Sequence, residues 1–319
     1  MALEVIEIKP EERPRFFELA EELGTVFSSQ LWCEVFREKL KLCGIFSDTA
    51  LIGGFVIYET RMKLVKSWIT PPFSPHIALF FQPAKSSNVA KILSYNKSIV
   101  RAVAEFIRKQ KMGFVKIELP PGVNDVQPFI WEGMDVTIKY TYRLDLTLTK
   151  DELIQRIDPK ERSKVSIGGK HDLLIERNTE PDAVVKILRN TFSKKEISTD
   201  IKLAERIVKN LSDSNGCFAS VVKKNDKSLG AFVCVCDSHT AYYLLGGFTD
   251  EAKSKNIGHL GVWDCIMQAQ EKELSVFDFE GSMIPGVEQF FRSFGGEQVV
   301  FFEVRGGNKL VRTAYGLLK

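Results

Sequence analysis

The chain has few of the residues on which metal binding and covalent nucleophilic catalysis depend. Its 319 residues include four histidines and six cysteines, and the cysteines lack the paired spacing of a metal site. No Ser-His-Asp or Cys-His pattern can be recognised, which argues against a covalent acyl-enzyme. We therefore expect reduced, buried cysteines and no bound metal.

Targeting segments and strong charge are also missing. The N-terminal MALEVIEIKPEERPR has no apolar core of the signal-peptide type, and no apolar run approaches the length of a membrane span. We expect a cytoplasmic protein without a transmembrane segment. The formal net charge of +3 is small for a protein held to DNA by phosphate contacts, so DNA is not expected as a partner and any RNA contact should be a local patch.

Apolar residues, by contrast, are plentiful. They make up 44% of the chain and include 23 phenylalanines, as in a globular protein with dense cores. A chain of 319 residues is long enough for two domains of ordinary size.

The two halves of the chain show the same order of predicted elements. Each reads strand, two helices, three antiparallel strands, long helix, strand, short helix and strand. FVKIELPPGV at 114–123 and VFDFEGSMIPGV at 276–287 both place an acid near a strand end and Pro-Gly-Val before a helix. This order resembles the GNAT (acetyltransferase-like) fold in tandem. We predict an α+β protein of two tandem GNAT (acyl-CoA N-acyltransferase-like) domains, 1–145 and 146–319, each with a mixed, mostly antiparallel sheet flanked by helices.

The glycine-rich loop with which such acetyltransferases bind the CoA pyrophosphate is not evident. The two corresponding stretches are FTDEAKSKNIGHL at 248–260 and IALFFQPAKSSNV at 77–89. Gly258-His259-Leu260-Gly261 is the nearest match, and its spacing is wrong. Binding of CoA by backbone amides at a helix N-terminus is therefore disfavoured.

The stretch 275–305 carries the most informative motif. A short apolar strand ends in Glu280-Gly281-Ser282, a helix follows, and Gly295-Gly296 stops that helix before the next strand. Together with Gly286, Phe290 and Phe294-Gly295, this pattern resembles the Fem family of peptidoglycan aminoacyltransferases. Other stretches agree with the family in their order: the segment around Trp32, the basic segment from Lys160 to Val165, and TAYYLLGG at 240–247.

The resemblance implies transfer of an aminoacyl group from aminoacyl-tRNA to an amine of a cell-wall precursor. It implies no cofactor or metal, tRNA as a partner, and peripheral contact with a lipid-linked substrate. The second domain would hold the site, with Glu280 and Arg292 as catalytic residues. The residues expected to bind substrate are Lys160, Arg162, Lys164, Lys194, Lys195, Tyr243, Gly281, Ser282, Gln289, Phe290 and Phe291.

One position departs from the family. Phe291 stands where a lysine is expected, and the basic residue comes one position later, as Arg292. One residue is about 100° around a helix, so Arg292 need not face the same channel.

Structural interpretations compete with these roles. Ser282 fits a turn, Phe290 and Phe291 fit a core, and the lysines fit solvated helix faces. Two other functions also stay open. One is an acyl-CoA-dependent N-acyltransferase acting on a cell-envelope amine, and the other is a non-catalytic binding protein on the same fold.

Overall fold

The computed structural model describes residues 3–62, 64–165, 172–177, 181–194, 200–212, 216–249 and 256–316. Its contacts divide the chain into two compact units. Unit 1 comprises Met1–Lys139 and Val300–Lys319, and unit 2 comprises Tyr140–Val299.

Unit 1 contains a mixed sheet with the order β1-β2-β3-β4-β6-β13, and β5 pairs with β3. The strands are β1 Leu3–Glu7, β2 Leu40–Ser47, β3 Ala50–Met62, β4 Val65–Ile69, β5 Phe80–Phe81, β6 Phe114–Leu119 and β13 Glu297–Gly307. Only the β4–β6 pairing in this order is parallel. The helices are α1 Arg13–Leu23, α2 Gln30–Phe36, α3 Val89–Lys109, α4 Gln127–Trp131 and α10 Lys309–Gly316.

Unit 2 repeats this pattern with the order β8-β9-β10-β11-β12-β7, and again only the β11–β12 pairing is parallel. The strands are β7 Asp135–Asp145, β8 Leu173–Arg177, β9 Cys217–Lys224, β10 Lys227–Cys236, β11 Thr240–Phe248 and β12 Val276–Asp278. The helices are α5 Lys150–Arg156, α6 Pro181–Lys194, α7 Ile201–Ser212, α8 Ile257–Glu271 and α9 Pro285–Arg292. The expected fold class is confirmed: each unit has a mixed, mostly antiparallel sheet flanked by helices.

The final strand of each unit comes from the other half of the chain. Residues 140–145 of β7 complete the sheet of unit 2, where Asp145 lies opposite Val276. Residues 300–307 of β13 complete the sheet of unit 1, where Glu303 lies opposite Glu118. The predicted boundary near residue 145 leaves each final strand with its own half, so the compact units and the predicted domains differ for these two segments. The domain boundary stays a prediction about the sequence repeat.

Local sequence explains most helix starts. Ser29 caps α2 by accepting a hydrogen bond from the Trp32 amide at 3.2 Å, and Asn88 caps α3 through the Lys91 amide at 3.1 Å. Pro285 begins α9, where its missing N–H costs nothing. The spacing of Trp32, Phe36 and Leu40 predicts a helix over 29–40. Helix α2 ends earlier, at Phe36, since Leu40 already pairs with Tyr58 in the sheet.

Buried polar groups tie the core of unit 2 together. Asp264 on α8 accepts hydrogen bonds from Ser220 Oγ at 2.6 Å and Gln268 Nε2 at 3.0 Å, and pairs with Arg177 at 2.7 Å. Because Arg177 lies on β8 and Ser220 on β9, this network holds two strands against α8. These three partners of the Asp264 carboxylate all belong to unit 2.

Unit 1 has a comparable group in Glu303, which is completely buried. Burial alone would raise its pKa, but the hydrogen bond from Lys139 and the nearby charges of Lys139, Lys116 and Arg305 lower the pKa of Glu303 to about 2. The Lys139 Nζ lies 2.6 Å from Glu303 Oε2 and 3.0 Å from Glu118 Oε1. The charged residues of this sheet face therefore stabilise one another.

Candidate active site

In unit 2 the sheet opens between β11 and β12. Their parallel pairing covers only Thr240–Tyr242 with Val276–Asp278, while β11 continues to Phe248. In the pairing of β11 with β10, Leu244 is an extra residue, since Cys234 lies opposite Tyr243 and Val233 opposite Leu245. A bulge of this kind bends a strand and is frequent beside active sites. Beyond Tyr242 and Asp278 the two strands are thus no longer paired, and this place at the carboxyl end of β12 is called the gap below.

A left-handed turn follows β12 at this gap. Glu280 and Gly281 have φ values of 57° and 74°. A Cβ at Gly281 would lie 2.1 Å from the backbone oxygen of Tyr140, so only glycine fits this position. For Glu280, a left-handed backbone is unusual and mildly strained. The glycine predicted to bind substrate thus has a firm structural role, which is to let the chain turn close to β7.

Asp278 stabilises this turn through hydrogen bonds. It is buried and accepts hydrogen bonds from Thr141 Oγ1 at 2.6 Å, Arg143 Nε at 2.7 Å and the Glu280 amide at 2.8 Å. The last of these bonds fixes the backbone of Glu280 directly. The sequence motif did not reveal this role of Asp278, because its side-chain partners Thr141 and Arg143 lie 137 and 135 residues earlier in the chain.

The side chain of Glu280 is partly buried, and one of its carboxyl oxygens lacks a described partner. Its Oε1 is shielded from solvent and has no hydrogen-bond partner among the described residues. Burial, and then the negative charge of Asp278, raise the pKa of Glu280 well above its usual range. A carboxylate whose pKa is raised is a stronger base than an ordinary carboxylate. The predicted catalytic role of Glu280 is compatible with this direction and stays a prediction.

Aromatic rings surround the gap. Phe291 is buried between Tyr243 and Phe279, with ring centroids 5.9 and 5.2 Å away, and Phe294 packs against Phe279 at 5.5 Å. Phe290 is half-buried and contacts the same cluster. These rings make the surroundings apolar, and they place Phe290 and Phe291 in the packing of the core.

Tyr243 belongs to this aromatic wall. Its hydroxyl covers Gly246, because a Cβ added at Gly246 would lie 1.8 Å from that oxygen. Burial, followed by the nearby Cys265 and Cys234, raises the pKa of Tyr243 well above its usual range. Tyr243 is therefore a neutral hydroxyl beside the bulge of β11.

Arg292 lies on the exposed side of α9, away from the ring cluster. Its Nε is 2.8 Å from Glu288 Oε1, one helical turn earlier, and the same oxygen accepts a 2.5 Å hydrogen bond from the Tyr142 hydroxyl. The guanidinium is more than half exposed. The structure therefore does not bring the two predicted catalytic residues into direct contact, and the role of Arg292 stays a prediction.

Ser282 and Gln289 have simpler surroundings. Ser282 Oγ accepts a hydrogen bond from the Ile284 amide at 3.1 Å, which closes a turn before α9. The side chain of Gln289 is exposed. Their predicted contacts with substrate stay predictions.

The basic segment is divided between two environments. Arg162 caps the end of α5 by donating to the carbonyl oxygens of Gln155 at 2.9 Å and Ile157 at 3.2 Å. Lys164 pairs with Glu161 at 2.5 Å, and Lys160 is exposed. Lys194 ends α6, but its side chain and all of Lys195 lie outside the described residues.

His259 is a candidate that sequence reasoning missed. Its Nε2 lies 2.9 Å from Glu161 Oε2, and its ring packs on Phe290 and Phe294 at 4.8 and 5.7 Å. Burial lowers the pKa of His259, while the charge of Glu161 acts in the opposite direction. The sequence lacks a signal for this pair, since the two residues lie about 100 positions apart.

In unit 1 the corresponding opening is filled by the chain itself. The β4–β6 pairing ends at Ile69 and Lys116, and the segment after β4 then bonds to β6. The Glu118 amide donates to Thr70 Oγ1 at 2.7 Å, and the Ile77 amide donates to the Glu118 carbonyl at 2.9 Å. Residues 77–80 of this segment are buried. This filling favours the expectation that the active site lies in unit 2.

Comparisons with known proteins agree with this architecture. Residues 174–317 match the family model of an acetyltransferase (GNAT) domain. A crystal structure of FemX is similar over 94% of this chain and 96% of its own, at a TM-score of 0.64 and 14% identity. The structure of L-PGS from Bacillus licheniformis is similar over 98% of this chain and 96% of its own, with a TM-score of 0.58 and 10% identity. A tandem GNAT protein from the clavulanic acid biosynthesis pathway is similar over 97% of this chain and 100% of its own, with a TM-score of 0.54 and 11% identity. No curated protein sequence gives a significant match.

Residues 174–317 thus match an acetyltransferase (GNAT) domain, and the chain shares its overall fold with FemX and with a tandem GNAT protein. The resemblance inferred from the sequence is therefore confirmed for the fold. No helix among the described residues combines the length and the apolar character needed to cross a bilayer.

Proposed function

We propose that the chain moves an aminoacyl group from aminoacyl-tRNA to an amine of a cell-wall precursor, in the gap between β11 and β12 of unit 2. One observation supports this most directly: Glu280 places a buried carboxyl oxygen without a described partner at the end of β12. An amine acceptor arrives at neutral pH largely as an ammonium ion, and it must lose protons before and during attack. A carboxyl group of raised pKa suits that task.

The proposed step is a direct attack. The acceptor nitrogen forms a bond to the ester carbonyl carbon, and the bond from that carbon to the ribose oxygen breaks. Glu280 takes the proton released by the amine and returns it to the leaving ribose oxygen. The apolar wall of Phe279, Phe291 and Phe294 keeps competing water away from the activated ester.

The other predicted residues would act in binding. Lys160 and Lys164, with Lys194 and Lys195, would contact donor phosphates, since lysine binds phosphate as a mobile point charge. Arg162 would act through its cap on α5, which holds the basic segment in place. Arg292 could join in only after leaving Glu288. A cytoplasmic location stays a prediction.

An acyl-CoA-dependent N-acyltransferase acting on a cell-envelope amine is the second candidate. The match of residues 174–317 to an acetyltransferase domain favours it. The same position of Glu280 would serve this reaction, with a thioester in place of the tRNA ester. The two candidates therefore differ in the donor and share the proton-transfer residue.

The test uses purified full-length protein with radiolabelled aminoacyl-tRNA and a peptidoglycan precursor that carries a free amine. We expect label to move to the precursor, and we expect Glu280→Gln to slow this transfer by about 10²–10⁴-fold, the usual contribution of a general base. Glu297→Gln, at an exposed position at the start of β13, is the matched control.

A parallel assay replaces the charged tRNA with acetyl-CoA and longer acyl-CoAs. Transfer from a thioester alone would overturn the tRNA proposal in favour of the second candidate. Failure of both donors, with folded protein and several acceptor amines, would favour a binding protein on this fold.

A further inference from the structure

The outer face of α3 and α4 in unit 1 combines exposed apolar residues with cations. Val89, Leu93, Lys97 and Arg101 follow one another at intervals of four residues, so they form one stripe along α3. The residues through which α3 packs into the core, such as Ile99, Val103 and Ile107, lie in the second half of the helix. Val89 and Leu93 in the first turns are mostly exposed, so they contribute little to the packing of α3.

Trp131 at the end of α4 lies against this stripe. Its ring centre is 5.4 Å from Lys97 Nζ and 5.2 Å from Arg101 Cζ, within the range of cation–π contacts. The relative exposure is 69% for Val89, 60% for Leu93, 54% for Ile130 and 54% for Trp131. Since folding gains nothing from leaving such residues in water, a cluster of this kind commonly marks an interaction surface.

The three remaining tryptophans of the chain, Trp32, Trp68 and Trp263, are buried. Trp131 thus differs from them in exposing about half of its surface between two cations. An indole ring with an exposed apolar edge and nearby cations is the arrangement that tryptophan adopts at membrane–water interfaces.

The charge of the stripe is positive. Helix α3 contains five cationic residues and one acidic residue. Lys97 forms an ion pair with Asp125, with 3.1 Å between Nζ and Oδ2. Near the C-terminal end of the helix, Arg108 pairs with Glu132 at 2.7 Å. Arg101, the last member of the stripe, is exposed.

We propose that this face, formed by Val89, Leu93, Lys97, Arg101, Ile130 and Trp131, docks on an anionic lipid surface. The apolar side chains would enter the interfacial region, and the cations would remain at the level of the headgroup phosphates. The aliphatic residues favour lipid over RNA, because RNA would use the cations and the ring but gains little from Val89, Leu93 and Ile130. The attraction weakens with salt, since each cation near such a membrane contributes about a fivefold increase in affinity, or about 1 kcal/mol.

The inference stands independently of the acyl donor, and its test needs no substrate. Full-length protein is mixed with vesicles of neutral phosphatidylcholine, or of phosphatidylcholine with about one third phosphatidylglycerol. Binding is measured by co-sedimentation and by tryptophan fluorescence. Because Trp131 is the exposed tryptophan, its transfer to the interface should shift the emission to shorter wavelength.

We expect binding to the anionic vesicles that falls as salt increases. Arg101→Glu should lower the affinity about 30-fold, because it reverses one charge and so changes two units. Leu93→Ala should also lower it severalfold, whereas Leu174→Ala, which truncates an equally exposed leucine of unit 2, should leave it unchanged. Trp131→Phe should abolish the fluorescence shift while the protein stays folded.

Three outcomes would overturn the proposal. They are failure to bind either vesicle type, equal binding of the two types, and anionic binding that Arg101→Glu and Leu93→Ala leave intact. A control with single-stranded RNA addresses the alternative, since binding to RNA that quenches Trp131, without binding to vesicles, would assign this face to nucleic acid.

Discussion

Replacement of Glu280 by glutamine should change the pH dependence of stability in a defined direction. Folding raises the pKa of Glu280, so between the unfolded and folded pKa values the native state holds the proton more tightly than the unfolded chain. The free energy of unfolding of the natural protein should therefore fall as the pH rises above the ordinary range of glutamate. The Glu280→Gln variant has no titrating group at this position, so its free energy of unfolding should not show this decline.

The size of the effect follows from the surroundings of the carboxylate. Every unit by which folding raises the pKa corresponds to about 1.4 kcal/mol once the pH exceeds the folded value. Leaving a buried acceptor unpaired also costs about 1–3 kcal/mol, and more when the group is charged. We therefore expect Glu280→Gln to be more stable than the natural protein by about 1–3 kcal/mol at pH 8, and about equally stable near pH 4.5.

The measurement is urea unfolding of both proteins at intervals between pH 4.5 and 8.5, followed by circular dichroism. Glu288→Gln serves as the contrasting variant. The hydrogen bonds from Tyr142 and Arg292 lower the pKa of Glu288, so its loss should slightly weaken the fold at neutral pH. Parallel pH profiles for the natural protein and Glu280→Gln would refute the reasoning, because they would mean that Glu280 titrates as an ordinary exposed carboxylate.

Three further predictions concern positions where the structure fixes the sign of the effect. Gly281→Ala should lower the free energy of unfolding by about 2–4 kcal/mol, because the backbone there has a left-handed φ and the new Cβ would collide with the Tyr140 carbonyl oxygen. Gly286→Ala is the control: a Cβ at that position meets nothing within 4 Å, so the same urea titration should show no loss of stability. Asp264→Ala should cost about 1–3 kcal/mol in chemical denaturation, because Ser220 and Gln268 lose a buried acceptor while the partly exposed Arg177 keeps Glu271. A variant as stable as the natural protein would contradict this. Glu303→Gln should cost about 2–3 kcal/mol at pH 7, and the difference should shrink as the pH falls toward 2, since the lowered pKa of Glu303 gives stability that is present above the ordinary glutamate pKa and lost below it. A difference that stays constant down to pH 2 would exclude a charged Glu303.

Elements whose residues carry a strong local pattern could be predicted closely from the sequence. Apolar alternation and flanking turn residues predict strands at 114–119, 173–177 and 240–248. The structure has strands with these bounds, Phe114–Leu119, Leu173–Arg177 and Thr240–Phe248. The end of α2 was missed because Leu40 continues the helical spacing and yet pairs in the sheet, where tertiary contacts outweigh local preference.

The site was only partly accessible from the sequence. The motif led to Glu280 and Gly281, since an acid and a glycine at a strand end stand out locally. Asp278, His259 and the burial of Glu280 depend on residues far away in the chain, and no local spacing reports them. The exchange of residues 140–145 and 300–307 between the two halves likewise depends on pairings between strands far apart in the chain, which no local pattern reports.

That exchange has a consequence for how the protein is made. A ribosome releases β6 long before it releases residues 300–307, so the sheet of unit 1 must wait for nearly the whole chain before its last strand arrives. Loop closure over such a distance slows folding and leaves the edge of β6 open to other chains in the meantime. Unit 2, in contrast, has all of its strands once residue 278 has emerged, since β7 precedes it. The later half of the sequence can thus complete its sheet first, and nascent protein should depend on chaperones chiefly to shield unit 1.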